Sequence, residues 1–242
     1  MTGIEAVIFD WGGTLTQWHD IDFHEESLAL AQAVRTAGDH DHPVNAERLH
    51  RAGETIWGWS RDHQRSATID DLFTEAGLEH DPELLTAYFD FWEPHTLTDP
   101  DVVPMLEELR AAGIKIGILS NTIWPRAWHH RVFERDGVLP LIDGDVYTSE
   151  IPWTKPSPHA FRAGMDAVGA ADPDRCVYVG DRLFDDVWGA HNAGLKAIHV
   201  PHSNIPPQQI GHTEGQPDGV VQRLSDVPAV LRQISSGDSG NR

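Results

Sequence analysis

The stretch that most constrains the fold is IEAVIFDWGGTLT at residues 4–16. Its apolar run at residues 7–9 is β-branched or aromatic, which predicts a buried strand. The strand ends on a carboxylate, Asp10, and Gly12 and Gly13 then allow a sharp turn and a close backbone approach to a ligand. In a parallel α/β sheet, ligands bind outside the carboxyl ends of the strands. Asp10 is therefore expected to face a site, with backbone N–H groups of the glycine turn available to an anion.

The remainder of the chain predicts an α/β fold with two units. Residues 17–98 contain helical patterns and no strand-like run, whereas strands and helices alternate from Asp101 onward. Such alternation is typical of a Rossmann-like, doubly wound parallel sheet. We expect a core formed by residues 1–16 and 99–235, an inserted all-helical cap at 17–98, and a flexible tail at 236–242. The elements predicted for the core are strands at 114–119, 146–148, 177–179, 197–200 and 220–221 and helices at 102–112, 125–135, 157–168, 184–193 and 227–234.

Within the predicted cap, apolar periodicity favours several amphipathic helices. Helices are expected at residues 24–37, 69–76 and 82–92, and a further helix is expected to follow Asn45 as its N-cap. The tract DHDH at residues 39–42 has the composition of a metal cluster, but Pro43 follows it directly. We interpret this tract as a solvated loop between two helices.

The charge and the cysteine content of the chain exclude several classes of binding partner and of structure. The 242 residues carry 18 Lys and Arg against 38 Asp and Glu, a formal net charge of −20. That charge argues against nucleic acid or an anionic membrane surface, where basic patches supply affinity. The single cysteine, Cys176, lies in an apolar run and indicates core packing without a disulfide framework. No apolar run reaches membrane-spanning length and no signal peptide is recognisable, so we expect a soluble, cytoplasmic protein of unspecified oligomeric state.

Polar groups follow the predicted strands where each strand ends. Besides Asp10, these are Ser120 and Asn121, Lys155, and an acidic group that begins at Asp181. Carboxylates brought close together repel each other unless a cation lies between them, and oxygen ligands suit Mg²⁺. Hydroxyl and amide groups can bind phosphoryl oxygens, and a lysine supplies positive charge. The predicted chemistry is phosphoryl transfer with Asp10 as nucleophile.

Four segments, FDWGGTLT, ILSNT, TKPSP and VGDRLFDD, occur in an order and spacing that resembles the motifs of the haloacid dehalogenase-like hydrolase superfamily. The resemblance implies a Mg²⁺-dependent hydrolase with a helical cap, an aspartyl-enzyme intermediate and a small phosphorylated metabolite as substrate. By position it implies the following roles: Asp10, Ser120 and Lys155 as catalytic residues; Trp11, Gly12, Gly13 and Asn121 as substrate- or phosphate-binding residues; and Asp10, Gly12 (through its carbonyl), Asp181 and Asp186 as metal ligands. Lys155 would steady both nucleophile and phosphate. Asp185 is interpreted as an acid at a helix N-terminus.

One residue departs from the pattern of the family's phosphatases. Two residues after the nucleophile they carry a second Asp, the general acid/base, and here Gly12 stands in its place. Losing such a group typically costs roughly 10²–10⁴-fold in rate. Three residues are candidates to replace it, although each is also readily explained as an ordinary surface residue: His19, Asp20 and His63. Acyl phosphates and anhydrides would need little protonation of the leaving group.

Of three alternative functions, the first fails because its central residue is absent, and the other two remain. A phosphonate-cleaving hydrolase also has a small residue at this position but requires a cap lysine, and the chain's lysines are Lys115, Lys155 and Lys196, none of them in residues 17–98. A 2-haloacid dehalogenase would need no metal, and Trp11, Trp18 and Trp124 could line its halide pocket. A binding or regulatory module would keep the fold without turnover.

Substrate choice is assigned to the cap, where Trp57 and Trp59 are two residues apart and cannot share a helix face. Arg61 and Arg65, four apart, could meet a second anionic group, but a solvated helix face is the simpler interpretation.

Overall fold

A computed structural model describes residues 3–16, 21–35, 41–201 and 214–237, and a parallel sheet forms its centre. The six strands are β1 (Ala6–Phe9), β2 (Lys115–Ser120), β3 (Gly144–Tyr147), β4 (Cys176–Gly180), β5 (Lys196–His199) and β6 (Gly219–Val220). They lie in the order β3-β2-β1-β4-β5-β6, and every neighbouring pair is parallel. The predicted doubly wound sheet is confirmed.

The central strand β1 is covered on both faces. Val7 and Phe9 belong to one apolar cluster, and Ala6 and Ile8 belong to another, because successive side chains of a strand point to opposite faces. Both clusters are closed by helices, which explains why β1 is apolar at every position. The helices that accompany the sheet are α5 (Val102–Ala111), α6 (Arg126–Arg135), α7 (Pro158–Ala167), α8 (Gly189–Asn192) and α9 (Val227–Gly237).

Four further helices lie between β1 and β2 in the chain. They are α1 (Phe23–Ala31), α2 (His42–His63), α3 (Ile69–Glu75) and α4 (Thr86–Trp92), and α1 packs against both α2 and α4. The helical character predicted for this insertion is confirmed over its described residues, while its limits as a separate unit stay a prediction. Thr68 and Asp71 form a reciprocal capping box that starts α3.

The start of α2 differs from the prediction. Asn45 is not the N-cap but is buried inside the helix. Asp41 is the N-cap, and its carboxylate accepts a hydrogen bond from the Val44 N–H at 3.3 Å. Pro43 is tolerated in the first turn, where its missing N–H has no helical partner to lose, so the helix can begin at His42.

Other helices also begin or end at residues that differ from the prediction. Helix α1 ends at Ala31, whereas the periodicity predicted residue 37; residues 36–40 lie outside the described chain. The predicted helix at 82–92 is divided, because Asp81 caps a separate 3₁₀ turn before α4 begins. The helix predicted at 184–193 begins with a wider π-helical turn, Leu183–Trp188, and continues as α8.

At the C-terminal end, α9 runs to Gly237, two residues beyond the predicted end of the core. The remainder of the predicted tail and most of the loop before β6 lie outside the described residues. Cys176 is a buried free thiol at the start of β4, as the sequence predicted. Among the described helices, none combines the length and apolar character that crossing a membrane requires.

Candidate active site

The predicted polar groups meet at the carboxyl ends of the central strands. Asp10 follows β1, Ser120 ends β2, and Asp181 follows β4, the three adjacent strands at the middle of the sheet. Phe9 is level with both Ile118 and Val179, so these strand ends lie side by side. Asp10, Ser120 and Asp181 are each buried. The convergence expected from the sequence is confirmed.

Lys155 binds two of the carboxylates. Its Nζ lies 2.8 Å from Asp10 Oδ1 and 2.7 Å from Asp186 Oδ1, and all three side chains are buried. Asp186 Oδ2 also accepts the Arg182 N–H at 2.9 Å, which ties that carboxylate to the π-helical turn. π-helical turns often occur at functional sites, and here the turn begins just after Asp181.

Three carboxylates form a candidate metal centre. Asp10, Asp181 and Asp186 each offer an oxygen atom, and these atoms all lie within 4.8 Å of one another. Both oxygens of Asp181 are buried and have no hydrogen-bond partner among the described residues, whereas Asp10 and Asp186 share Lys155. A buried carboxylate without a partner is costly, and a hard cation satisfies it with oxygen ligation. The donor set therefore fits a divalent ion such as Mg²⁺.

The electrostatics of these groups follow from burial. Burial raises the pKa of Asp10 above its usual value, and the nearby Lys155 ammonium opposes that rise. Burial also raises the pKa of Asp181 well above its usual value, with Arg182 opposing. For Lys155, burial disfavours the charged amine, but Asp10 and Asp186 more than compensate and hold its pKa above the usual value.

The glycine turn after Asp10 has the expected backbone geometry, and the three residues that follow it donate their N–H groups within the turn. Gly13 has a positive φ of 85°, a conformation that glycine adopts without strain. The Trp11 carbonyl accepts the N–H groups of Thr14, Leu15 and Thr16 at 2.9 to 3.2 Å. Those three N–H groups stabilise the turn itself and are not directed at an anion.

Asn121 anchors the segment that carries Lys155. Its Oδ1 accepts the Lys155 N–H at 2.8 Å, and its Nδ2 donates to the Lys155 carbonyl at 3.1 Å. The sequence predicted that this amide would bind phosphoryl oxygens, whereas the structure places both ends of it on the Lys155 backbone. Asn121 thereby joins the end of β2 to the lysine segment.

The inserted helices hold that segment from the other side. Thr154 donates its N–H to the Gln64 carbonyl at 3.0 Å, and Ser66 donates its N–H to the Pro152 carbonyl at 3.2 Å. The Ser60 and Thr154 hydroxyls are also 3.0 Å apart. The chain just before Lys155 is therefore fixed by the end of α2 and the residues that follow it.

A group of aromatic side chains extends from Trp11, the residue after Asp10, toward α4. Trp11 packs on Trp124 with ring centroids 5.6 Å apart, and Trp124 Nε1 donates to the Tyr88 hydroxyl at 2.7 Å. Glu26 of α1 accepts from Tyr88 at 3.3 Å and from Trp92 Nε1 at 3.2 Å. Burial raises the pKa of Glu26 to about 7, although both hydrogen bonds oppose that rise. Glu26 could not be singled out from the sequence, because nothing in the local sequence distinguishes it from Glu25.

Among the residues that the structure describes, the remaining sequence candidates take no part in this arrangement. His63 is exposed at the end of α2, while Trp18, His19 and Asp20 lie outside the described residues. Arg61 pairs with Asp62 and Arg65 stacks on Trp59, so these arginines do not present a shared anion-binding face. Trp57 is 45% exposed, whereas Trp59 packs on the core, as their spacing predicted. Asp185 lies 3.7 Å from Arg182 and outside the three-carboxylate group.

A parallel α/β sheet with an inserted helical segment and a lysine-bridged carboxylate centre defines a class of α/β hydrolytic enzymes. Residues 4–194 match the model of the haloacid dehalogenase-like hydrolase family. The chain belongs to this family.

Relatives and solved structures agree with that assignment. The chain is 26% identical over 237 residues to glyceraldehyde 3-phosphate phosphatase from Methanopyrus kandleri, covering 96% of this chain and 99% of the relative. It is 33% identical over 249 residues to phosphatase MT3486 from Mycobacterium tuberculosis, covering 94% and 97%. The fold resembles that of a phosphatase of the same superfamily from Thermococcus onnurineus (TM-score 0.64, 24% identity, 94% of this chain and 98% of that one). It also resembles L-2-haloacid dehalogenase from Xanthobacter autotrophicus (TM-score 0.62, 22% identity, 95% and 98%).

Proposed function

We propose that this hydrolase is a Mg²⁺-dependent phosphohydrolase that acts on a small phosphorylated molecule with Asp10 as nucleophile. The observation that carries the proposal is the buried Asp181 carboxylate, which lies close to Asp10 and Asp186 and whose two oxygens have no hydrogen-bond partner in the described part of the chain. A dehalogenase that works without metal has no need of this costly arrangement. The names of full-length relatives, both phosphatases, support the same choice.

In the proposed mechanism, Asp10 supplies the attacking oxygen. One oxygen of Asp10 is held by Lys155, which leaves the other to attack phosphorus in line with the leaving oxygen. The bond from phosphorus to the leaving oxygen breaks, and an acyl phosphate forms on Asp10. Water then attacks that phosphorus, releases inorganic phosphate and restores the carboxylate.

Other residues of the site would hold the reacting groups. Ser120, at the end of β2, is assigned to hydrogen-bond the phosphoryl group, and the Lys155 charge compensates Asp10 and Asp186. Asp10, Asp181 and Asp186, with the Gly12 carbonyl, would hold the Mg²⁺. When bound, the ion supplies positive charge that offsets the carboxylates and the developing charge on the phosphoryl oxygens.

Gly12 defines the substrate preference we expect. With no side chain to protonate a leaving oxygen, the site is suited to substrates whose leaving group departs without protonation, such as acyl phosphates. An alkyl phosphate monoester would react more slowly unless a group on the substrate or the cap donates the proton.

The test is hydrolysis of acetyl phosphate and p-nitrophenyl phosphate with Mg²⁺ and with chelator, under steady-state and single-turnover conditions. We expect Mg²⁺-dependent turnover that Asp10→Asn abolishes, while Asp166→Asn, which changes an exposed carboxylate on α7, keeps it. Full activity in folded Asp10→Asn would rule out the nucleophile. No turnover by folded wild-type protein that binds Mg²⁺ would favour a non-catalytic module, and release of halide from a 2-haloacid would favour a dehalogenase.

A further inference from the structure

The Lys155 ammonium has an oxygen acceptor for each of its three N–H bonds. Besides Asp10 Oδ1 and Asp186 Oδ1, the third acceptor is the hydroxyl of Tyr178, 2.7 Å from Nζ. An ammonium carries three donors and no acceptor. All four side chains are buried, so these bonds form away from water.

The hydroxyl of Tyr178 has its own proton committed elsewhere. Tyr178 lies on β4, level with Ile8 of β1, and its hydroxyl reaches across β1 to the Leu119 carbonyl on β2 at 2.7 Å. A phenol has one proton to donate. Because that proton goes to Leu119, the oxygen presents a lone pair to Lys155, and the direction of the Lys155–Tyr178 hydrogen bond is fixed.

We infer that Tyr178 is a positioning residue, which fixes the Lys155 amine between Asp10 and Asp186 by accepting its third N–H bond. The inference deepens the proposed function and rests on it for the kinetic consequences. Lys155 then acts on a phosphoryl group through its charge and through the orientation of Asp10, not by donating a hydrogen bond to the phosphate. The Tyr178 hydroxyl also links this amine to the backbone residue that directly precedes Ser120.

Packing alone does not require the hydroxyl. The Tyr178 ring contacts Phe161 edge-on at 5.0 Å between centroids, and phenylalanine would preserve that contact. Tyr178→Phe therefore removes one acceptor of Lys155 and keeps the ring. A matched control is Tyr147→Phe, since Tyr147 is also buried at the end of a strand and its hydroxyl donates to Asp145, away from Lys155.

The first test needs no catalytic turnover. The chain has three lysines, so protein labelled with ¹⁵N-lysine gives three Nζ signals in an NMR spectrum, assigned with Lys115→Arg and Lys196→Arg. We expect one Lys155 ammonium signal protected from hydrogen exchange in the wild type. Tyr178→Phe should move that signal and speed its exchange by about tenfold, the loss of one net hydrogen bond, whereas Tyr147→Phe should not. An unprotected Lys155 in the wild type, or a Lys155 signal unchanged in Tyr178→Phe, would overturn the inference.

The second test separates positioning from substrate binding. With acetyl phosphate, Tyr178→Phe should lower kcat by about tenfold and leave KM within about twofold, because the amine no longer holds Asp10 in one orientation. Tyr147→Phe should change neither constant. An unchanged kcat, or a rise in KM alone, would contradict the positioning role. Failure of the proposed function is distinguishable, because the wild type would then lack Mg²⁺-dependent turnover while its Lys155 signal could still be protected.

Discussion

Asp181→Asn should change stability in opposite directions with and without metal. In chelator, the wild type keeps a buried carboxylate whose oxygens accept no hydrogen bond from any residue that the structure describes. Leaving a buried polar group unsatisfied costs about 1–3 kcal/mol, and more for a charged group. An amide of the same shape removes the charge but remains polar, so we expect the metal-free variant to be more stable by about 1–2 kcal/mol. For a chain of this size that raises Tm by about 2–8 °C.

With Mg²⁺ the order reverses. A ligand at about 100 times its Kd stabilises the folded state by about 2.7 kcal/mol, which raises the wild-type Tm by about 5–11 °C. Without the Asp181 carboxylate, the two carboxylates that remain, Asp10 and Asp186, are already paired with the Lys155 ammonium, so the variant should gain little from the ion. The curves of Tm against Mg²⁺ concentration should therefore cross.

The assay is differential scanning calorimetry of both proteins in chelator and over a Mg²⁺ titration. Asp185→Asn is the matched control, since Asp185 lies on the same turn, faces Arg182 and is not part of the three-carboxylate group. It should keep the Mg²⁺ stabilisation of the wild type. A variant that is less stable than wild type in chelator, or that gains as much from Mg²⁺, would refute the assignment of Asp181 as a ligand that needs a cation.

Two further perturbations test the general acid/base that Gly12 lacks and the half-buried Glu26 carboxylate of α1. Gly12→Asp should raise kcat on p-nitrophenyl phosphate and on alkyl phosphates by up to about 10²-fold, because it restores a general acid/base. If kcat does not rise while the fold and the Mg²⁺ affinity are unchanged, the site does not bind the phosphate group productively. Glu26→Gln should remove a pH dependence of stability. The folded pKa of Glu26, about 7, lies above its unfolded value of 4.5, so its stabilising contribution is present below pH 4.5 and is lost as the pH rises through 7. That contribution is up to about 3 kcal/mol. As the pH rises from 4.5 to 7, the free energy of unfolding measured with urea should therefore fall more in the wild type than in the variant. The same pH dependence in both proteins would contradict the raised pKa of Glu26.

Much of the fold was readable from local sequence. The uninterrupted apolar run of β1 and the alternation of later strands and helices predicted a parallel sheet, because a strand buried on both faces has no polar positions. The ends of the helices were harder to predict. Asn45 has a side chain that suits an N-cap, but α2 begins earlier, with Asp41 as its N-cap, and Asn45 is buried inside the helix.

Some residues of the candidate site could also be predicted from the sequence, and others could not. Asp10, Lys155 and Asp181 could be found from the sequence, because each carries the charge that the chemistry needs. Asp10 and Asp181 directly follow strands, and Lys155 lies in the segment after β3. Tyr178 could not, since in sequence it is one more apolar position of a buried strand, and only the packing of three strands brings its hydroxyl to Lys155.

The sequence by itself therefore determined which chemical groups are present and at which edge of the sheet they gather, because strand periodicity and parallel connection fix both. Tertiary structure decided how those groups are paired. Lys155 neutralises Asp10 and Asp186, Asp181 accepts no hydrogen bond from the residues described, and Asn121 holds the lysine segment instead of facing an anion. Hydrogen-bond partners depend on distances of a few tenths of an ångström between segments far apart in the chain, and no local pattern encodes those distances.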